Sequence, residues 1–89
     1  MIEKVRKSLR ISHTALDDDI QDLIDAALME LQLSGIKKLD ESDPLIIRAV
    51  TVYCKAEFGF DNPDAERFRN SFESLRNHLA LAGDYNASL

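Results

Sequence analysis

The most apolar helical segment of the chain is residues 43–59, which read DPLIIRAVTVYCKAEFG. Its first residues, Asp43 and Pro44, predict a helix start, because aspartate caps a first turn and proline is tolerated at the first helical position. A single narrow polar strip interrupts its apolar surface: Arg48, Thr51 and Lys55. A helix of this kind is surrounded by other elements. We therefore predict that it lies at the centre of a core and ends at Gly59.

A longer amphipathic helix is predicted before it, over residues 16–33, which read LDDDIQDLIDAALMELQL. Apolar residues recur there at spacings of three and four, which is the periodicity of a helix with one buried face. Thr14 and Asp17 form a weaker relative of the capping box and predict the start of this helix. Gly35 follows as a C-terminal stop.

Another long helix is predicted after the central one, from about 63 to 81, and is opened by Asn62 and Pro63. One narrow apolar seam runs along it, as on a coiled-coil helix: Ala65, Phe68, Phe72, Leu75 and Leu79. Residues 2–9 predict a short helix that is marginal by itself, and residues 83–89 form a short polar tail that we expect to be flexible.

Together these elements predict a single all-α domain over residues 1–89. We expect a compact bundle of three main helices plus a short N-terminal helix within residues 1–10. No segment alternates with a period of two for long enough to predict a strand. Ten side chains are the core candidates: Leu23, Ile24, Ala27, Leu31, Ile46, Val50, Tyr53, Phe68, Phe72 and Leu75.

Length and composition exclude several classes of protein. Eighty-nine residues and 10.1 kDa leave room for one core. A net charge of −5 and a pI near 4.8 argue against a broad basic face that holds nucleic acid. No apolar run is long enough for a membrane span, and the charged N-terminus does not resemble a secretion signal. A single cysteine, Cys54, fits a reducing cytoplasm.

The sequence offers little for catalysis or for metal binding. Cys54 lies in the most apolar helix, where a thiol behaves as a small hydrophobic side chain. His13 and His78 are far apart in sequence, and no metal-ligand spacing occurs. We therefore predict that the protein is not an enzyme and that it has no cofactor and no metal site.

Charge is strongly segregated along the chain. Residues 1–13 carry four cations and one anion, whereas residues 14–34 carry six carboxylates and no cation. Asp18, Asp22 and Asp25 share one helix face opposite the apolar stripe, and we call these three residues the acidic ridge. The ridge is either a solvated helix face, favoured by its closeness to the helix N-terminus, or a surface that meets a basic partner or repels a polyanion.

Four segments carry a family resemblance in their order and spacing. They are LDDDIxxLIxAA at 16–27, DPLIxxAVxxYCKAxFG at 43–59, NPDAERF at 62–68 and HLALxGDY at 78–85. In this arrangement the chain resembles the small head–tail connector proteins of tailed bacteriophages and prophages, also called head-completion, adaptor or DNA-packaging proteins. The resemblance covers residues 2–85, and no single segment is a mechanistic motif.

This resemblance implies a structural virion protein that forms a ring with copies of itself under the portal after DNA packaging. The implied partners are the portal protein and the next head-completion or tail protein. DNA passes through the channel without being read in sequence, and no membrane is involved. The implied places are the host cytoplasm during assembly and the head–tail junction of the virion. The acidic ridge would then face the channel or a partner.

Both ends of the chain are marginal by themselves and are expected to order on the portal or on a neighbouring subunit. The candidate contact residues there are Ile2, Val5, Arg6, Leu9, Asp84 and Tyr85.

Two other classes of protein stay open at this point. One is a small regulatory or antitoxin-like helical module that binds a partner through the apolar seam at 65, 68, 72, 75 and 79. The other is a DNA-binding regulator, which the acidic net charge disfavours. The arginines of the last helix are offset there by nearby carboxylates.

Overall fold

A computed structural model describes residues 1–59 and 62–86 and contains five helices. They are α1 (Ile2–Ser8), α2 (Asp17–Leu33), α3 (Pro44–Glu57), α4 (Ala65–Leu81) and α5 (Gly83–Asn86). None of the described residues lies in a β-strand. The predicted all-α bundle of three main helices and a short N-terminal helix is therefore confirmed, with α5 in addition.

The predicted central helix is α3, which packs against α1, α2 and α4. Asp43 caps it as expected, since its Oδ1 atom accepts the backbone N–H of Leu45 at 2.8 Å. The helix ends before Gly59, whose φ of +90° suits a residue without a side chain. Most of its surface is covered, and its buried residues are Ile46, Ala49, Val50, Val52, Cys54 and Ala56.

The start of α2 differs from the predicted capping pattern. Leu16 occupies the cap position, and no side chain caps the first turn. Thr14 contributes its backbone carbonyl instead, which accepts the N–H of Asp17 at 3.1 Å. The pattern fails because the helix begins at Asp17 itself, so Thr14 lies before the cap position, and the Asp17 carboxylate is bound by Arg6 from α1. The end of α2 agrees with the prediction, since Gly35 follows with a φ of +97°.

The last long helix, α4, begins at Ala65, later than the Asn62–Pro63 signal predicts. Asn62 builds the preceding turn, because its Oδ1 accepts the N–H of Asp64 at 3.0 Å. Its Nδ2 donates to the carbonyl of Lys55 at 2.6 Å and ties the turn to α3. The asparagine therefore stabilises the loop between α3 and α4, and the proline stands in that loop rather than in the helix.

The core lies between α2, α3 and α4, and α1 closes one side of it. Six of the ten predicted core residues are buried: Ile24, Ala27, Leu31, Ile46, Val50 and Phe72. The other four are half-buried: Leu23, Tyr53, Phe68 and Leu75. Eight further buried residues were not predicted as core: Val5, Ile20, Ile36, Ala49, Val52, Cys54, Ala56 and Leu79.

Where the sequence suggests a polar tail, the structure has the short helix α5. The backbone carbonyl of Tyr85 accepts the N–H groups of Lys37 and Lys38 at 2.8 and 3.1 Å. This segment is therefore tied to the connection between α2 and α3. Residues 87–89, the rest of the predicted tail, lie outside the described residues.

Candidate functional site

The acidic ridge lies on the outer side of α2. Asp18, Asp22 and Asp25 are all exposed, opposite the buried face of the same helix. Asp25 accepts a hydrogen bond from Nε2 of Gln21 at 3.0 Å. Among the described residues, no cation forms an ion pair with any of the three carboxylates. The ridge therefore presents uncompensated negative charge to solvent, a surface that attracts cations and repels phosphates.

The N-terminal contact candidates are largely used within the chain. Val5 is 0% exposed and belongs to the core, so in this conformation it cannot contact a neighbour, and that assignment is corrected. Ile2 and Leu9 are half-buried and pack against the core. Arg6 forms a two-pronged ion pair with Asp17, with Nε and Nη2 at 2.9 and 2.8 Å from the carboxylate oxygens. This pairing raises the pKa of the Arg6 guanidinium and fastens α1 to the start of α2.

The C-terminal contact candidates, Asp84 and Tyr85, differ from one another. Asp84 is exposed. Tyr85 is half-buried, and its hydroxyl donates to Oδ2 of Asp43 at 2.9 Å. That hydrogen bond, with burial second, raises the pKa of the Tyr85 hydroxyl. Tyr85 therefore holds α5 against the start of α3, and only part of its side chain is available to another protein.

The structure also contains a groove that the sequence does not predict. It lies between the first half of α2 and the end of α3, with a volume of about 510 Å³. Its floor is apolar and its rim is acidic. We call it the α2–α3 groove and define it by Leu16, Leu23, Phe58, Asp19, Asp22, Glu57 and Gly59. The spacing of the predicted helix over 16–33 could have placed four of these residues on one face, but nothing local joins them to Phe58.

A positively charged patch lies where α1 ends. Lys7 and Arg10 are exposed there and line one pocket together with the half-buried Ile11. Arg10 has a φ of +61°, a left-handed conformation that is uncommon for a residue other than glycine. We call residues 7–12 the Arg10 turn. Among the described residues, neither Lys7 nor Arg10 forms an ion pair.

The side chains considered for chemistry are not assembled into a reactive site. Cys54 is buried, and burial raises the pKa of its thiol to about 12. His13 and His78 are exposed on separate elements. Within residues 1–59 and 62–86, no three or more histidines, cysteines or carboxylates are grouped to hold a metal ion. No helix in these ranges combines the length and apolar character needed to cross a membrane.

The apolar seam of α4 packs inside the chain. Phe72 and Leu79 are 5% and 1% exposed, and the Phe72 ring meets Tyr53 edge-on with centroids 5.0 Å apart. Lys55 and Arg67 lie over the Phe68 ring, at 5.5 and 5.2 Å from its centroid. Phe72 and Leu79 are thus used within the chain, while Ala65, Phe68 and Leu75 are half-buried.

Comparison with known proteins gives one positive result. The family model described as "Phage connector protein" matches residues 1–86. No curated protein and no solved structure matches the chain. The match confirms the resemblance seen in the sequence. It supports a structural head–tail connector role, contacts with other phage head or tail proteins and a position at the head–tail junction. The chain belongs to the phage connector protein family.

Proposed function

We propose that this protein is a ring-forming adaptor that docks under the portal after DNA packaging, extends the DNA channel and joins head to tail. The observation that carries this proposal is the family match over residues 1–86, nearly the whole chain. The protein acts as a structural part of the virion, without catalysis or a cofactor. Its partners are copies of itself, the portal protein and the next head-completion or tail protein, and it assembles in the host cytoplasm.

Within this proposal the acidic ridge faces the channel or a basic portal surface. The support is its full exposure and its lack of a cation partner among the described residues. A channel wall of carboxylates repels DNA phosphates, so DNA slides past it, whereas a basic wall would hold the DNA. No sequence-specific contact with DNA is proposed.

The two chain ends supply further contacts with the portal or a neighbouring subunit in this proposal. Asp84 is exposed, and Ile2 and Leu9 retain some exposed surface. Arg6 and Tyr85 already hold partners within the chain. We therefore assign these two residues to positioning α1 and α5, and we assign the outward contacts to the other three.

The experiment that tests this function is an in-frame deletion of the gene in its phage or prophage, followed by electron microscopy of the induced lysate. We expect full-sized heads without attached tails beside separate tails, and rescue when the protein is supplied from a plasmid. A deletion lysate that contains normal tailed particles would overturn the proposed function.

A further inference from the structure

The α2–α3 groove combines an apolar floor with a rim whose charged residues are all acidic. Leu16, Leu23 and Phe58 line the floor and are half-buried. Glu57 on the rim is paired with Arg69, whose Nε lies 3.2 Å from the carboxylate. Asp19 and Asp22 have no ion-pair partner among residues 1–59 and 62–86. The groove therefore fits a ligand that presents an apolar side chain flanked by cations.

The Arg10 turn of this chain has that chemistry. Ile11 packs against the core of its own chain but stays partly exposed, and Lys7 and Arg10 supply two cations without ion-pair partners in the described part of the chain. No residue of the Arg10 turn is among the described residues that line the groove, and the turn borders a separate pocket, so the turn does not fill the groove of its own chain. The left-handed backbone at Arg10 closes the end of α1, because the N–H groups of Arg10 and Ile11 donate to the carbonyls of Lys7 and Arg6 at 3.0 Å.

We propose that the α2–α3 groove of one copy binds the Arg10 turn of a second copy. Ile11 contacts the apolar floor, while Lys7 and Arg10 meet Asp19 and Asp22 on the rim. Asp22 is then used between copies, so Asp18 and Asp25 are the ridge residues left to face the channel or the portal. A groove on one copy and a turn on the next form a heterologous contact, which generates a ring when the rotation between copies closes. This inference rests on the proposed ring and identifies the surfaces that would join its subunits.

The test reverses the charge of each surface in a separate variant. D19K/D22K makes the groove rim basic, and K7E/R10E makes the turn acidic. Each variant by itself sets like charges against each other, so we expect its dissociation constant for self-association to rise by roughly tenfold or more. An equimolar mixture restores opposite charges at every contact, so association should return. Sedimentation equilibrium at low ionic strength measures this, because exposed ion pairs are screened by salt.

Two control variants carry the same charge changes away from the contact. D18K/D25K lies on the same helix as the groove rim but lines no part of the groove, and K37E/K38E lies away from the turn. Both should associate like the wild type. If a charge-reversed pair loses its helical circular dichroism, the single variants D22N and R10Q replace it and should weaken association by a smaller factor.

Three outcomes would overturn this inference. They are a mixture that associates no better than its separate components, a wild type that stays monomeric at every concentration, and controls that weaken association equally. The deletion experiment reports on the connector role without reference to any interface. If the deletion gives normal tailed particles while the mixed variants associate again, the proposed function is refuted and the contact between copies is supported. Failed rescue together with tailless heads would remove the contact alone.

Discussion

At the scale of single residues, Asp43 holds two parts of the chain with one carboxylate. Its Oδ1 accepts the N–H of Leu45 at 2.8 Å, and its Oδ2 accepts the Tyr85 hydroxyl at 2.9 Å. The first contact follows from the Asp-Pro pair that opens α3. The second joins residues 42 positions apart. Asp43 therefore caps a helix and anchors the C-terminal segment.

Replacing this residue tests both contacts. We expect D43A to lower the free energy of unfolding by roughly 0.5–2 kcal/mol, the usual cost of losing an N-cap side chain. Y85F removes only the tyrosine hydroxyl and should destabilise less, while D43N keeps an oxygen for the cap. Urea denaturation followed by circular dichroism measures all three variants. A D43A protein as stable as the wild type would contradict this assignment.

Cys54 is an inert thiol because it is buried in α3. Burial raises its pKa to about 12, so the neutral form is held in the folded protein. We expect no reaction with a thiol reagent at neutral pH until denaturant is added, when one thiol per chain should react. Rapid labelling of the native protein would contradict the buried position.

The same shift predicts a pH dependence of stability. The folded pKa of Cys54 lies above its value of 9.0 in an exposed thiol. The contribution of this pKa difference to the free energy of unfolding is therefore fully present below about pH 9 and is lost as the pH rises towards 12. The raised pKa values of Tyr53 and Tyr85 act in the same direction. The free energy of unfolding of C54A should therefore fall less steeply at alkaline pH than that of the wild type. Denaturation curves at several alkaline pH values would show this.

At the scale of elements, α1 depends on tertiary contacts. Seven residues are too few for a stable isolated helix in water. Val5 inserts into the core, and the Arg6–Asp17 ion pair fixes the orientation of α1 on α2. The start of α2 and the loop before α4 show the same dependence, since Asp17 is bound by α1 and Asn62 is bound to α3.

Truncating Val5 should release this helix. We expect V5A to cost about 2 kcal/mol, because it removes buried methyl groups and leaves a cavity. Amide hydrogen exchange in residues 2–9 should accelerate more than exchange in α3, since α1 opens locally before the bundle unfolds. K4A, on the exposed side of the same helix, is the matched control and should exchange like the wild type. Equal acceleration in α3 would show that α1 does not open separately.

At the scale of the whole molecule, charge is arranged in separate surfaces. Carboxylates cover the outer side of α2, and unpaired cations lie at the end of α1. Among the described residues, the Arg6–Asp17 pair is the only ion pair between a cation of α1 and a carboxylate of α2. The remaining charge is available for other molecules, which is what an assembly component needs.

Charge reversal of the acidic ridge tests its role in the assembled phage. We expect D18K/D22K/D25K to keep its helical content but to reduce phage infectivity in a complementation assay, because a basic surface retains DNA or repels a basic partner. E41K/E66K/E73K reverses three exposed carboxylates elsewhere and should complement normally. Full infectivity of the ridge variant, with ring assembly intact, would exclude a role for the ridge. Because Asp22 also lines the groove, D18K/D25K separates a channel role from a contact between copies.

The sequence by itself determined the helical class, the central position of α3, its Asp43 cap, the glycine stops and the exposed acidic ridge. These features follow from apolar periodicity and from backbone preferences within a few residues, so local information is sufficient. Only the tertiary structure decided that Val5 is core, that Tyr85 binds Asp43, and that Phe58 joins Leu16 and Leu23 in one groove. Those contacts join residues from different helices. Their formation depends on how the helices pack, and no local pattern records that packing.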